Sequence, residues 1–132
     1  MSKACFGSLA HVGVFVGDLE RSKKFYTEVL EFDVIEECMV GDVAVAFVRN
    51  GNLTLELICD PAAQPRKDGI VDHFAMQSTN IEQIKEKLEA RGIEFEGGEI
   101  TVAPQVFPNG SKWMLFRGPD GEHLEISEVA PY

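Results

Sequence analysis

The chain is built on an internal repeat. The segment H-V-G-V-F-V-G-D-L-E-R-S-K-K-F from His11 and the segment H-F-A-M-Q-S-T-N-I-E-Q-I-K-E-K from His73 follow one plan, offset by 62 residues. In each, a histidine opens an apolar run, the run passes an acidic or amide cap, and an amphipathic helix pattern follows. The copies also close alike, on Leu55-Glu56-Leu57 and on Leu124-Glu125-Ile126. Two histidines and two glutamates thus hold equivalent places in two halves of one short chain. If the halves pair about a pseudo-twofold axis, His11, Glu56, His73 and Glu125 converge on one point. Two imidazoles and two carboxylates at one point make a metal site.

Composition bounds the remaining choices. A length of 132 residues is one ordinary domain, or two half-domains sharing a core. An apolar share of 45% beside 26% charged residues is the globular norm, which removes disorder as a reading. No apolar run approaches the ~18 residues of a membrane span, and the opening M-S-K-A-C-F-G-S-L-A is a poor secretory signal. Cys5, Cys38 and Cys59 lack a Cys-x-x-Cys spacing. They read as small apolar side chains kept reduced in a cytoplasm. The net charge of −10, with no basic run, argues against a nucleic-acid partner, since phosphate binding needs clustered Lys and Arg.

Each half reads β-α-β-β-β. In the first, Leu9 to Val16 is a strand and Asp18 caps a helix in which Leu19, Ser22, Phe25, Tyr26, Val29 and Leu30 recur at helical spacing. Strands follow over 32–40, 43–49 and 53–59, the last two joined at Asn50-Gly51, a strong hairpin signal. In the second, Val71 to Ser78 is a strand. Asn80 with Gln83 makes a capping box, and the helix runs to Gly92. Strands over 93–102, 112–117 and 122–129 complete it. The modules are 8–60 and 70–129, joined by a proline-bearing linker, 61–69. His and Glu are 45 residues apart in the first half and 52 in the second; the excess falls in the loop 103–111, placed to cover a site.

A lone histidine at a strand start is more often structural than a ligand, and a lone glutamate between leucines more often faces solvent. Recurrence at matching places in both halves favours the ligand reading of His11, Glu56, His73 and Glu125. Imidazole with carboxylate suits a borderline or hard divalent ion: Zn²⁺, Ni²⁺, Co²⁺, Mn²⁺ or Fe²⁺. Four protein ligands on an octahedral ion leave two positions for water or substrate oxygens. His123, on the strand face of Glu125, reads as a partly exposed polar residue or as a contact at the mouth of a cavity. Phe15, Phe47, Trp113, Phe107 and Phe116 are core or pocket-lining aromatics.

The paired βαβββ pattern, with H-V-G-V-F-V-x-D-L-x-R-S-x-x-F-Y near the start and F-R-G-P-D-G-E-H-L-E-I near the end, resembles the vicinal oxygen chelate superfamily over nearly the whole chain. The resemblance implies an α+β fold whose two modules form an incomplete barrel around a metal. The His-Glu-His-Glu set is similar to that of glyoxalase I, a metal-dependent lyase that isomerises a hemithioacetal by moving a proton. It implies Glu125 as the leading base with Glu56 as its symmetric partner; Phe15, Phe47, Trp113 and His123 are candidate substrate contacts by their own positions in the pattern. It also implies a small-molecule substrate and a homodimer, with modules paired within one chain or exchanged between two. Two departures set glutathione apart. Bacterial glyoxalase I carries arginine where Phe15 stands and asparagine where Asp60 stands. The competing readings are a metabolite- or antibiotic-binding resistance protein, or another enzyme of the superfamily such as an epimerase or dioxygenase.

Overall fold

The computed structural model describes residues 9–62 and 68–130. The chain divides into two compact units, Met1–Ala63 and Gln64–Tyr132, each a helix-backed open sheet. In the first unit β1 (Val12–Val16) leads to α1 (Leu19–Lys24), and then to β2 (Asp33–Val40), β3 (Val43–Asn50) and β4 (Leu53–Cys59). The second unit holds β5 (Phe74–Gln77), α2 (Ile81–Ala90), β6 (Thr101–Ala103), β7 (Ser111–Arg117) and β8 (His123–Val129). The strand orders, β1-β4-β3-β2 and β5-β8-β7-β6, are the same topology repeated. In both, the first strand runs parallel to the last and the other pairs are antiparallel.

Alternation sets what each sheet buries. Leu55 and Leu57 on β4, with Ala46 and Val48 on β3, share one face and are fully buried against the helical side, where Tyr26 is also buried. Leu124, Ile126, Met114 and Phe116 do the same in the second unit, with Ile81 and Leu88 of α2 among the buried residues. Burying each such side chain contributes about 1.5–3 kcal/mol. The face bearing Glu56 or Glu125 is the opposite one in each sheet. Asp18 accepts from the Arg21 N–H at 3.0 Å and Asn80 from the Gln83 N–H at 3.1 Å, so both expected helix caps form. Among the described residues no helix is long and apolar enough to cross a membrane.

Several local expectations are corrected. The first helix changes after Lys24 into a π-helical turn, Phe25–Val29, with the Leu30 N–H reaching the Phe25 carbonyl at 3.4 Å. Strands expected over Leu9–Val16 and Val71–Ser78 are trimmed to Val12–Val16 and Phe74–Gln77, which leaves both histidines just ahead of their strands. The strand expected over 93–102 survives only as Thr101–Ala103. Gly97 and Gly98 both sit at φ +73 and break the extended run, although Phe95 remains buried. The hairpin at Asn50 is shifted by one residue. Asn50 pairs with Leu53, so Gly51-Asn52 form the loop, and of these only Gly51 (φ +59) has positive φ. The Asn50 side chain instead donates to the Leu30 carbonyl at 3.2 Å, tying the helix end to the sheet.

Candidate metal centre

The parallel pair in each sheet fixes one histidine beside one glutamate. Gly13 is in register with Glu56, and Ala75 with Glu125. His11 and His73 each lie two residues before those partners, so they share the glutamate's face of the sheet. His11 Nε2 stands 3.5 Å from Glu56 Oε1, and His73 Nε2 stands 2.8 Å from Glu125 Oε2. The residues between them are small. A Cβ added at Gly13 would lie 3.7 Å from Glu56 Oε1, so this strand crosses the carboxylate without covering it. The histidine side chains stay open, at 42% and 38% exposure, while the carboxylates are more enclosed, at 22% and 14%. Each module thus presents an accessible imidazole Nε2 and a half-buried carboxylate side by side, a donor pair that suits a borderline divalent cation.

The two pairs are supported differently. The His11 ring meets Phe47 edge-on, centroids 5.5 Å apart, and Phe47 is in register with Glu56 on the neighbouring strand. His73 Nδ1 lies 2.8 Å from Asp72 Oδ2, a carboxylate that braces the ring from the side opposite Glu125. Register also places Phe15 on the face of His11 and Glu56, and Trp113 and His123 on that of His73 and Glu125. Phe15 is 48% exposed. In the loop 103–111, Phe107 is exposed with φ +61. Phe116, by contrast, is fully buried on the helical side.

His123 is partly exposed, as its position suggests, but only slightly. Its side chain is only 10% exposed, its ring centroid lies 5.9 Å from that of His73, and its Nε2 is 3.1 Å from Glu96 Oε1. Arg117 knits the surroundings together: its guanidinium holds both oxygens of Asp68 and donates through Nε to Glu96 at 3.2 Å. Those hydrogen bonds from Arg117 keep the Asp68 carboxyl below the usual carboxylate range, and Asp68 in turn holds the guanidinium charged. The sequence gives no warning of Asp68 or Glu96, which come from irregular segments. Asp72 was findable, since it immediately precedes a histidine already singled out.

The model of the glyoxalase/bleomycin resistance protein/dioxygenase superfamily matches residues 8–126. The chain belongs to this superfamily. Its relatives include the uncharacterized protein YwbC of Bacillus subtilis, 32% identical over 121 residues that cover 88% of this chain and 93% of YwbC. A lactoylglutathione lyase of Arabidopsis thaliana is 27% identical over 92% of this chain, which spans 44% of that longer protein. The crystal structure of a glyoxalase family protein from Enterococcus faecalis matches with a TM-score of 0.77 at 26% identity, covering 93% of this chain and 98% of that one. Membership agrees with the repeated βαβββ topology, which holds in both units.

Proposed function

We propose that this superfamily member is a metal-dependent lyase or isomerase that moves a proton beside a carbonyl or hydroxyl pair of a small substrate. His11, Glu56, His73 and Glu125 would hold one divalent cation, Zn²⁺, Ni²⁺, Co²⁺, Mn²⁺ or Fe²⁺. The observation that carries the reading is the recurrence of one His–Glu pair, at one register position, in both modules. A bound divalent cation supplies charge stabilisation for the oxygen that becomes negative when a neighbouring C–H loses its proton. The chain's own residues do the rest. Glu125 is the base: its carboxylate is enclosed, and His73, braced by Asp72, fixes one of its oxygens. That leaves the other oxygen to take the proton and return it to the adjacent carbon. Glu56 is the symmetric alternative. Phe15, Phe47, Trp113 and His123 would contact the substrate and limit access of water.

The pairs would complete one centre within a chain or across two copies, and the working form would be a homodimer. Side chains of β2 offer apolar contact surface for this, with Met39 63% and Val40 60% exposed. Sedimentation equilibrium reading a monomer would remove the dimer. The functional reading itself is tested by metal affinity. His11→Ala and His73→Ala should each weaken binding at this centre to a similar extent, because the two residues are equivalent by register. Metal-dependent exchange of a substrate C–H in D₂O should then be lost in both. Tight binding and exchange that survive both substitutions would sink the proposal.

A further inference from the structure

His123 carries an unsolved problem of its own. Its Nδ1 is shielded from solvent and, among the described residues, has no hydrogen-bond partner. Its Nε2 lies against the Glu96 carboxylate, 3.1 Å from Oε1 and 3.2 Å from Oε2. A carboxylate only accepts, so in the neutral ring Nε2 carries the proton and Nδ1 turns a lone pair inward. That lone pair faces further acceptors: Asp72 Oδ2 at 3.6 Å and Asp68 Oδ2 at 3.7 Å. A buried acceptor such as this Nδ1, left without a donor, is costly, and a cation seated against its lone pair would satisfy it.

The groups that can satisfy this demand are already sorted. Arg117 engages Asp68 and Glu96, so those two carboxylates act as walls. The donor atoms that remain beside His123 Nδ1 are Asp72 Oδ2 and His73 Nδ1. One donor atom from each of these residues lies within 4.8 Å of the others. The individual separations include 2.8 Å for His73 to Asp72 and 3.6 Å for His123 to Asp72. A four-coordinate ion with bonds of about 2.0–2.1 Å holds its ligands roughly 3.3 Å apart, between those two values.

We propose that Asp72, His73 and His123 form a second divalent-cation site, lined by two imidazole nitrogens and one carboxylate oxygen. That donor set suits Zn²⁺ or Co²⁺, and three protein ligands leave a position open to water. The site lies wholly in the second module and does not depend on the four-ligand reading. Its geometry does connect with that reading, because His73 turns Nε2 toward Glu125 and Nδ1 toward this site. With both sites filled, the His73 ring would release its N–H proton to solvent and bridge two cations as an imidazolate.

The test uses the whole chain, stripped of metal with a chelator and titrated with Zn²⁺ by calorimetry. Long-range ¹H–¹⁵N NMR of the histidine rings is recorded alongside. The expected result is about two ions per chain, one lost in His11→Ala and the other in His123→Phe, with the His123 Nδ1 resonance moving as the second ion binds. Should His123→Phe fail to fold, the ring-nitrogen shift in the unmodified chain decides the matter. A single ion lost in His11→Ala and kept in His123→Phe would overturn this site and leave the four-ligand centre standing. A single ion with the reverse pattern would support this site and remove the four-ligand centre. A His123 Nδ1 that takes up a proton and ignores Zn²⁺ would also overturn it.

Discussion

Glu125→Gln separates holding a cation from moving a proton. The side chain is 14% exposed and its Oε2 lies 2.8 Å from His73 Nε2. Glutamine preserves the shape and keeps an oxygen beside His73 Nε2. The gap between a charge-assisted hydrogen bond of about 1.5–3 kcal/mol and a neutral one of about 0.5–1.5 kcal/mol bounds the structural loss. Stability should therefore fall by only about 1 kcal/mol, a shift of a few degrees in Tm. Catalysis should fall much further, because an amide takes no proton at neutral pH. A positioned base contributes ~10²–10⁴-fold, so a loss of at least ~10²-fold, about 2.7 kcal/mol of barrier, is expected. The assay is turnover and C–H exchange in D₂O on methylglyoxal hemithioacetals of several thiols, with bound metal measured on the same samples. Full turnover with metal retained would refute the assignment and make Glu56 the next candidate for the base.

Other outcomes follow from the same geometry. Leu55→Ala and Leu124→Ala empty equivalent, fully buried positions in the two modules. Each should cost about 2–5 kcal/mol in urea unfolding, and a cost below ~1 kcal/mol at either would contradict the packing described. Arg117 lowers the pKa of Asp68 in the folded chain. Its stabilising effect is thus present above the unfolded-state pKa of about 3.9 and lost as pH falls through the lower folded value. Asp68→Asn should accordingly flatten the drop in Tm below about pH 4, and an unchanged slope would show the ion pair to be inert. Phe15 and Asp60 stand where bacterial glyoxalase I has polar anchors, so the glutathione hemithioacetal should be a poor substrate through weak binding. A kcat/KM near ~10⁶ M⁻¹s⁻¹ would contradict this, and Phe15→Arg with Asp60→Asn should raise that activity.

The fold was legible in the sequence because the repeat and the alternation around Glu56 and Glu125 are strong periodic signals. Strand alternation already separated these carboxylates from Leu55, Leu57, Leu124 and Ile126, and the sheets keep them on opposite faces. The caps at Asp18 and Asn80 were legible for the same reason: they depend on residues three apart. Other features depend on tertiary partners. The length of β6 was missed because Gly97 and Gly98 outweigh the apolar pattern around them. The π-helical turn after Lys24 shows no local marker in Phe25–Val29. The burial of His123 depends on Glu96 and Arg117, which are 27 and 6 residues away along the chain, so no short-range pattern announces it. Asp68 is likewise drawn in by Arg117, 49 residues on.

Anomalous diffraction from crystals of the whole chain grown with Co²⁺ or Zn²⁺ tests the central claim most directly. The account expects a strong metal-edge peak bonded at about 2.0–2.2 Å to the Nε2 atoms of His11 and His73 and to carboxylate oxygens of Glu56 and Glu125. The same map would show whether one chain or two supply the four residues. A peak seated only on Asp72, His73 and His123, or metal-loaded crystals in which His11 and Glu56 touch no ion, would contradict it.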